Sequence, residues 1–284
     1  MKARKIKGLF KLLRFELPFA AGICVVLGQS LASGKIASVQ ITAIGFFSVF
    51  FTSAAILVLN DYFDVETDKI NAPHRPIAAN VVTKTEALAF AIILFIAGLI
   101  LGYFISIPAL ICTAALSLIG FLYNRGFKKY GVYGNLMVSF SVGMTFIYGG
   151  ITVGIPFDKA VWFFAIIASL IDLGEEIAAD AMDAEGDKLI ESHSIAIKYG
   201  KSTALKISGL IFGTVILLTI IPFVTGWFKL VYFLPFSLMD VAIGYSTIRL
   251  IRPEEREVRK LIRVIYLSGT IGLLIFLIMR VAGL

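Results

Sequence analysis

The sequence predicts an all-α, polytopic membrane protein, with nine transmembrane helices around a central pocket open to the cytoplasm. Three observations predict it. First, 58% of the 284 residues are hydrophobic and the mean hydropathy is +0.91. A soluble domain cannot hide that much apolar surface, since average globular usage is about 45–50% apolar. Second, the apolar residues come in runs of about 17–25 residues, the length needed to cross a bilayer. Third, the basic residues fall almost entirely on one side of those runs.

In order, the predicted spans cover residues 15–33, 37–61, 85–105, 108–123, 132–151, 159–181, 203–224, 230–250 and 261–284. Only helices or closed barrels satisfy backbone polar groups in lipid. Runs of this length without strict alternation predict helices. The basic residues 2–14 precede span 1, as in a signal peptide, but the run at 15–33 exceeds a signal core of roughly 7–15 residues. It reads as a retained first span. Spans 3 and 4 are joined by a tight turn at Ser106-Ile107-Pro108. With the N-terminus inside, the inner segments carry 21 of the 26 Lys and Arg residues. This positive-inside asymmetry predicts a multi-pass protein of the cell membrane, with its N-terminus and pocket mouth cytoplasmic. No Gly/Ser-rich or Pro-rich linker divides the chain, so residues 1–284 read as a single domain. Cys24 and Cys112 lie within apolar runs and read as small buried hydrophobes, not a disulfide framework. Two histidines without a Cys or His cluster argue against zinc or haem. His74 adjoins the first acidic segment and reads as a supporting residue at most; His193 reads as a loop residue.

The chemistry is concentrated in three stretches. Residues 60–68 read Asn-Asp-Tyr-Phe-Asp-Val-Glu-Thr-Asp at the end of span 2. If the helix continues, Asp61, Asp64 and Asp68 fall at i, i+3 and i+7 on one face, where their mutual repulsion calls for a cation. Two prolines flank His74-Arg75 just beyond and close a compact loop. The second stretch places Glu176, Asp180, Asp183 and Asp187 at i, i+4, i+7 and i+11, with Asp172 and Glu175 nearby. No Lys or Arg lies between Val161 and Asp187, so these acids do not pair among themselves. At membrane depth such groups face a cavity or a partner. Hard oxygen donors with open positions suit Mg²⁺, which shares its coordination with phosphate oxygens and water. The Arg75 fork suits phosphate. The third stretch, residues 123–135, is basic and holds Tyr123, Asn124, Lys128, Lys129 and Asn135. Together they describe a pocket for a diphosphate carried on a long hydrocarbon. The fitting reaction is ionisation of an allylic diphosphate, with the departing anion stabilised by metal and cationic side chains.

These motifs are similar to those of the UbiA superfamily of intramembrane prenyltransferases. The resemblance covers nearly the whole chain, with Asn-Asp-x-x-Asp-x-x-x-Asp at 60–68 and Asp-x-x-x-Asp at 183–187, each after an even-numbered span. It implies that Asn60, Asp61, Asp64, Asp68, Asp183 and Asp187 bind Mg²⁺ and prenyl diphosphate, with Asp64 and Asp183 catalytic. It also implies that the loops after spans 2 and 6 cap the pocket. Arg75, Tyr123, Asn124, Lys128, Lys129, Asn135 and Lys198 are the expected diphosphate- and substrate-binding residues. Glu176 and Asp180 are candidates to take a proton from an alcohol acceptor. Ile-Asn-x-Pro-x-Arg-Pro-Ile at 70–77 and Ser-Ile-Ala-Ile-x-Tyr-Gly at 194–200 resemble the archaeal digeranylgeranylglyceryl phosphate synthases within that superfamily. The reaction this implies joins geranylgeranyl diphosphate to geranylgeranylglyceryl phosphate, a lipid phosphate. Glu175 and Ala78-Ala79-Asn80 depart from that pattern, which leaves an aromatic quinone precursor or a chlorin as alternative acceptors. A cation-coupled transporter is the alternative from another class; its acids would sit at mid-membrane on broken helices. Partners are expected to be the two substrates and membrane lipids, with no nucleic acid. Nothing in the sequence sets an oligomeric state.

Overall fold

A computed structural model describes residues 2–252 and 258–284. Among the described residues there is no strand, and thirteen α-helices follow one another. They are α1 (Lys2–Leu12), α2 (Glu16–Ser33), α3 (Val39–Phe63), α4 (Val65–Asn71), α5 (Lys84–Ile105), α6 (Ile107–Arg125) and α7 (Val132–Thr152). Then come α8 (Lys159–Asp187), α9 (Ile195–Tyr199), α10 (Lys201–Thr219), α11 (Ile221–Val224), α12 (Phe233–Ile251) and α13 (Val258–Val281). Most predicted spans fall on one long helix among the described residues, but the span expected at 203–224 is divided at Ile220 into α10 and α11, where Pro222 stands in the first turn of α11. Among the described residues, eight stretches are long and apolar enough to cross a membrane. The remaining helix, α8, has 29 residues, and Asp172, Glu175, Glu176 and Asp180 disqualify it by composition. Those acids need a protein environment rather than lipid, and α8 packs between α7 and α10.

Local signals set the boundaries. The Thr83 hydroxyl accepts from the Glu86 N–H while the Glu86 carboxylate accepts from the Thr83 N–H, a reciprocal cap at the start of α5. Ser106 caps α6 and Pro108 stands in its first turn, so the predicted tight turn divides α5 from α6. Asp158 caps α8 through the Ala160 and Val161 N–H groups. One expectation changes in detail. The helix carrying the first acidic stretch ends at Phe63, and Asp64 is the junction to α4. The Asp64 N–H still bonds the Asn60 carbonyl at 2.9 Å, and the Asp68 N–H bonds the Asp64 carbonyl at 2.7 Å. The chain therefore bends without losing its helical phase.

Packing is uneven around the bundle. One apolar cluster gathers tilted ring contacts among Phe164, Phe228, Phe236 and Phe276. A second joins Leu12 and Leu13 to α3 and α5 through Ala54, Val58, Ala87 and Ala91. Deep in the bundle the buried Tyr148 hydroxyl donates to Ser48 Oγ at 2.8 Å, and Ser48 Oγ donates to the Gly98 carbonyl at 2.9 Å. Each otherwise costly polar group is thereby satisfied. The helices α2 and α7 cross on glycines. A Cβ on Gly28 would stand 2.2 Å from the Phe146 carbonyl oxygen, and one on Gly149 would stand 2.3 Å from that of Val25. Contact this close uses small residues to let backbones meet, as between membrane helices generally. Gly28→Val should therefore destabilise the bundle by about 1–3 kcal/mol, as overpacking does. A lowered thermal midpoint in detergent checks this, with Gly213→Val, at a position with open space around it, as the control.

Candidate active site

The three chemically rich stretches meet at one cavity of about 620 Å³. Its polar end is lined by Asn60, Asp64, Asp68, Arg75, Tyr123, Asn124 and Lys128 on one side. Glu176, Asp180, Asp183 and Asp187 line it from α8. Deeper, the wall turns apolar, with Val49, Ile56, Leu116, Val142 and Ala168.

Each acid of the first stretch is met by a cation. Lys128 Nζ lies 2.6 Å from Asp64 Oδ2. Arg75 Nη1 lies 2.6 Å from Asp68 Oδ1 and 3.4 Å from Asp61 Oδ1. Arg14 pairs with Asp61 and donates to Asn60 Oδ1 at 3.3 Å. Arg14 stands at the α1–α2 junction with a left-handed backbone, φ 44°, which turns the chain between the two helices. Asn60 Nδ2 donates to Asp64 Oδ2 at 2.8 Å and to Asn124 Oδ1 at 3.0 Å, and Asn124 Nδ2 donates to the Gly120 carbonyl at 3.0 Å. The Asn124 amide thus orients Asn60. Burial pushes the Asp68 carboxyl up and Arg75 pulls it back down, leaving it above its usual value. Burial works against the charge on Lys128, but Asp64 outweighs it and the ammonium is held above its usual pKa.

The acids of α8 are set differently. Asn135 Nδ2 donates to Asp180 Oδ2 at 2.9 Å, and Ser139 Oγ donates to Asp172 Oδ2 at 3.0 Å, both from α7. The two acidic stretches are joined by Asn71. Its Nδ2 donates to the Asp183 carbonyl at 3.1 Å, and its Oδ1 accepts the Gly186 N–H at 3.2 Å. A Cβ at position 186 would stand 2.4 Å from Asn71 Nδ2, so glycine lets the end of α4 dock on α8. Arg259 Nη2, from α13, lies 3.0 Å from Asp183 Oδ1.

The structure brings most of the expected residues together. Asp61 is buried but stands off the cavity wall, held between Arg14 and Arg75. Asn135 is also buried off the wall and orients Asp180. Two expected residues lie outside the cavity. Lys129 is exposed, with its ammonium over the Tyr130 ring, while its carbonyl accepts the His193 N–H at 2.7 Å. Lys198 is exposed on α9, over the Tyr199 ring. His74 and His193 are both exposed. Sequence reading missed Arg14, Asn71 and Arg259. The first and last lie in basic clusters that positive-inside topology already explained, and Asn71 is an ordinary amide until Gly186 meets it.

Among the described residues, no three acidic, imidazole or thiol groups converge on a single metal position. The acids are instead drawn individually to Lys128, Arg75 and Arg259. The donor set is nevertheless the oxygen-rich one that suits Mg²⁺. That ion commonly takes one or two carboxylates and fills its shell with substrate phosphate and water.

The UbiA prenyltransferase family profile matches residues 21–275. A digeranylgeranylglyceryl phosphate synthase of Methanocaldococcus jannaschii is 30% identical over 275 residues, covering 96% of both chains. A solved structure of a digeranylgeranylglyceryl phosphate synthase is 30% identical with TM-score 0.73, covering 99% of this chain and 100% of the other. A UbiA homologue from Archaeoglobus fulgidus, solved bound to GPP and Mg²⁺, shares the fold at 17% identity and TM-score 0.65, over 96% and 99% of the two chains. With nearly its full length matched and its acids gathered on one cavity, the chain belongs to the UbiA prenyltransferase family.

Proposed function

We propose that this protein transfers geranylgeranyl from geranylgeranyl diphosphate to geranylgeranylglyceryl phosphate, forming an ether bond of archaeal membrane lipid. The observation that carries the acceptor is 30% identity to the M. jannaschii synthase across 96% of both chains. The cavity agrees, with cations and carboxylates at one end and an apolar wall that accepts prenyl chains. The match over residues 21–275 supports a single catalytic domain. The 21 inner Lys and Arg residues support a cytoplasmic mouth in the cell membrane.

Asn60, Asp64, Asp68, Asp183 and Asp187 would hold Mg²⁺, in keeping with the Mg²⁺-bound A. fulgidus homologue. Bound Mg²⁺ supplies Lewis-acid charge to the departing diphosphate. Lys128 and Arg75 bind the remaining diphosphate oxygens, the arginine with its fork. Asn124 and Asn135 position Asn60 and Asp180. The donor C1–O bond breaks and its electron pair leaves with diphosphate. The apolar wall keeps water from the allylic cation, so the acceptor hydroxyl oxygen forms the new C–O bond. Its proton passes to Glu176, to Asp180 or to the released diphosphate.

Purified protein with radiolabelled geranylgeranyl diphosphate and geranylgeranylglyceryl phosphate should yield labelled digeranylgeranyl product. Labelling of an aromatic acceptor in its place would overturn the assignment. Asp64→Ala and Asp183→Ala should each lower kcat by about 10²–10³, the size of losing one electrostatic stabiliser of the transition state. Lys129→Ala and Lys198→Ala should stay within about twofold, because exposed lysines off the cavity contribute little. Chelation with EDTA should abolish turnover and added Mg²⁺ should restore it. Activity unchanged by EDTA would remove the metal from the reading.

A further inference from the structure

We infer that Arg259 binds the phosphate of the lipid acceptor, and that the facing surfaces of α13 and α2 hold the acceptor's hydrocarbon. The inference rests on the reaction proposed above, which brings two anions into one cavity. A diphosphate and a phosphomonoester side by side repel, and the second needs a cation of its own. Lys128 and Arg75 sit with Asp64 and Asp68 and are about three-quarters shielded, with side chains 24% and 25% exposed. Arg259 lines the same cavity from a different element and is 55% exposed. Its Nη2 donates to Asp183 Oδ1 at 3.0 Å and to the Asn71 carbonyl at 3.5 Å. Its Nη1 and Nε have no hydrogen-bond partner among the described residues. A guanidinium with donors to spare matches a phosphate ester better than any ammonium on this cavity.

The surface below Arg259 fits the rest of such a molecule. Arg259, Tyr266, Thr270 and Leu273 line the cavity at i, i+7, i+11 and i+14, one face of α13 grading from charged to apolar. Leu17, Ala20, Ala21 and Cys24 line it from α2 with helical spacing. Among the described residues the two helices share hydrogen bonds only at their ends. Glu16 meets Arg263 Nη2 at 3.0 Å and its carbonyl accepts from the Tyr266 hydroxyl at 2.8 Å; at the far end Arg280 Nη2 donates to the Ser30 carbonyl at 3.0 Å. Between these ties the two walls are small or apolar. A single prenyl chain can lie there with its phosphate on Arg259 and its glycerol hydroxyl toward the acids of α8.

The test is steady-state kinetics on the full chain, varying each substrate in turn. Arg259→Ala should raise the acceptor KM roughly tenfold or more, the size of a lost charge-assisted hydrogen bond, and leave the donor KM within about twofold. Arg259→Lys should recover part of the loss, since it restores charge without the fork. Wild-type preference for geranylgeranylglyceryl phosphate over phosphate-free geranylgeranylglycerol should collapse in Arg259→Ala. A rise in donor KM, or in the Mg²⁺ concentration for half-activity with acceptor KM unchanged, would overturn the assignment and make Arg259 a partner of the metal-binding acids. So would a fall in kcat with both KM values and the preference intact. If the wild type used neither acceptor, the proposed reaction itself would fall, and this role with it.

Discussion

The rest of the molecule depends on one electrostatic constraint: carboxylates buried where apolar helices end. Asp61, Asp64, Asp68 and Asp187 are all buried, inside a chain that is 58% hydrophobic. Each buried charge needs a partner, and removing one partner of such a pair typically costs about 3–5 kcal/mol. Arg14, Arg75 and Lys128 supply partners from the α1–α2 junction, the loop after α4 and the turn before α7. Three separate parts of the chain therefore converge on residues 60–68. The same constraint gathers carboxylates and cations on one cavity, the arrangement that the proposed Mg²⁺–diphosphate site requires.

The two acidic stretches solve the problem of approach differently. The first is interrupted at Asp64, between α3 and α4, and Asp64, Thr67, Asp68 and Asn71 line the cavity from there. The second runs without interruption along α8, whose acids are tied by α7 through Asn135 and Ser139. Asn71 and Gly186 then lock the bent stretch to the straight one. This bridge keeps the acids of both stretches on one cavity before any ligand arrives, which is the preorganisation that electrostatic catalysis needs.

Polarity is also graded across the membrane. The basic residues cluster at the ends where the acids lie, while the opposite end is tied by neutral hydrogen bonds such as Gln29 Nε2 to Thr152 Oγ1 at 2.9 Å. The interior between is closed by glycine contacts and clustered aromatic rings. An allylic cation formed there would meet few competing nucleophiles, consistent with transfer to an acceptor rather than hydrolysis.

The sequence by itself determined the membrane class, the helical character of its apolar runs and the two acidic stretches, because run length and i, i+3, i+7 phasing are local properties of the chain. It also placed Arg75, Lys128 and Asn124 near the acids, since each lies in a short connection at the same end of its span. Only the tertiary structure decided which cation meets which acid. Lys128 reaches Asp64 while its neighbour Lys129 faces solvent, and Lys198 stays outside, because side-chain direction depends on the turn and helix that carry each residue. Arg14, Asn71 and Arg259 gained their roles from contacts across 47, 112 and 76 positions of chain, beyond the reach of any local pattern. The acid-rich α8 shows the same division: its run predicts a span at 159–181, its acids keep it out of the most apolar helices, and its place between α7 and α10 supplies the protein environment those acids require.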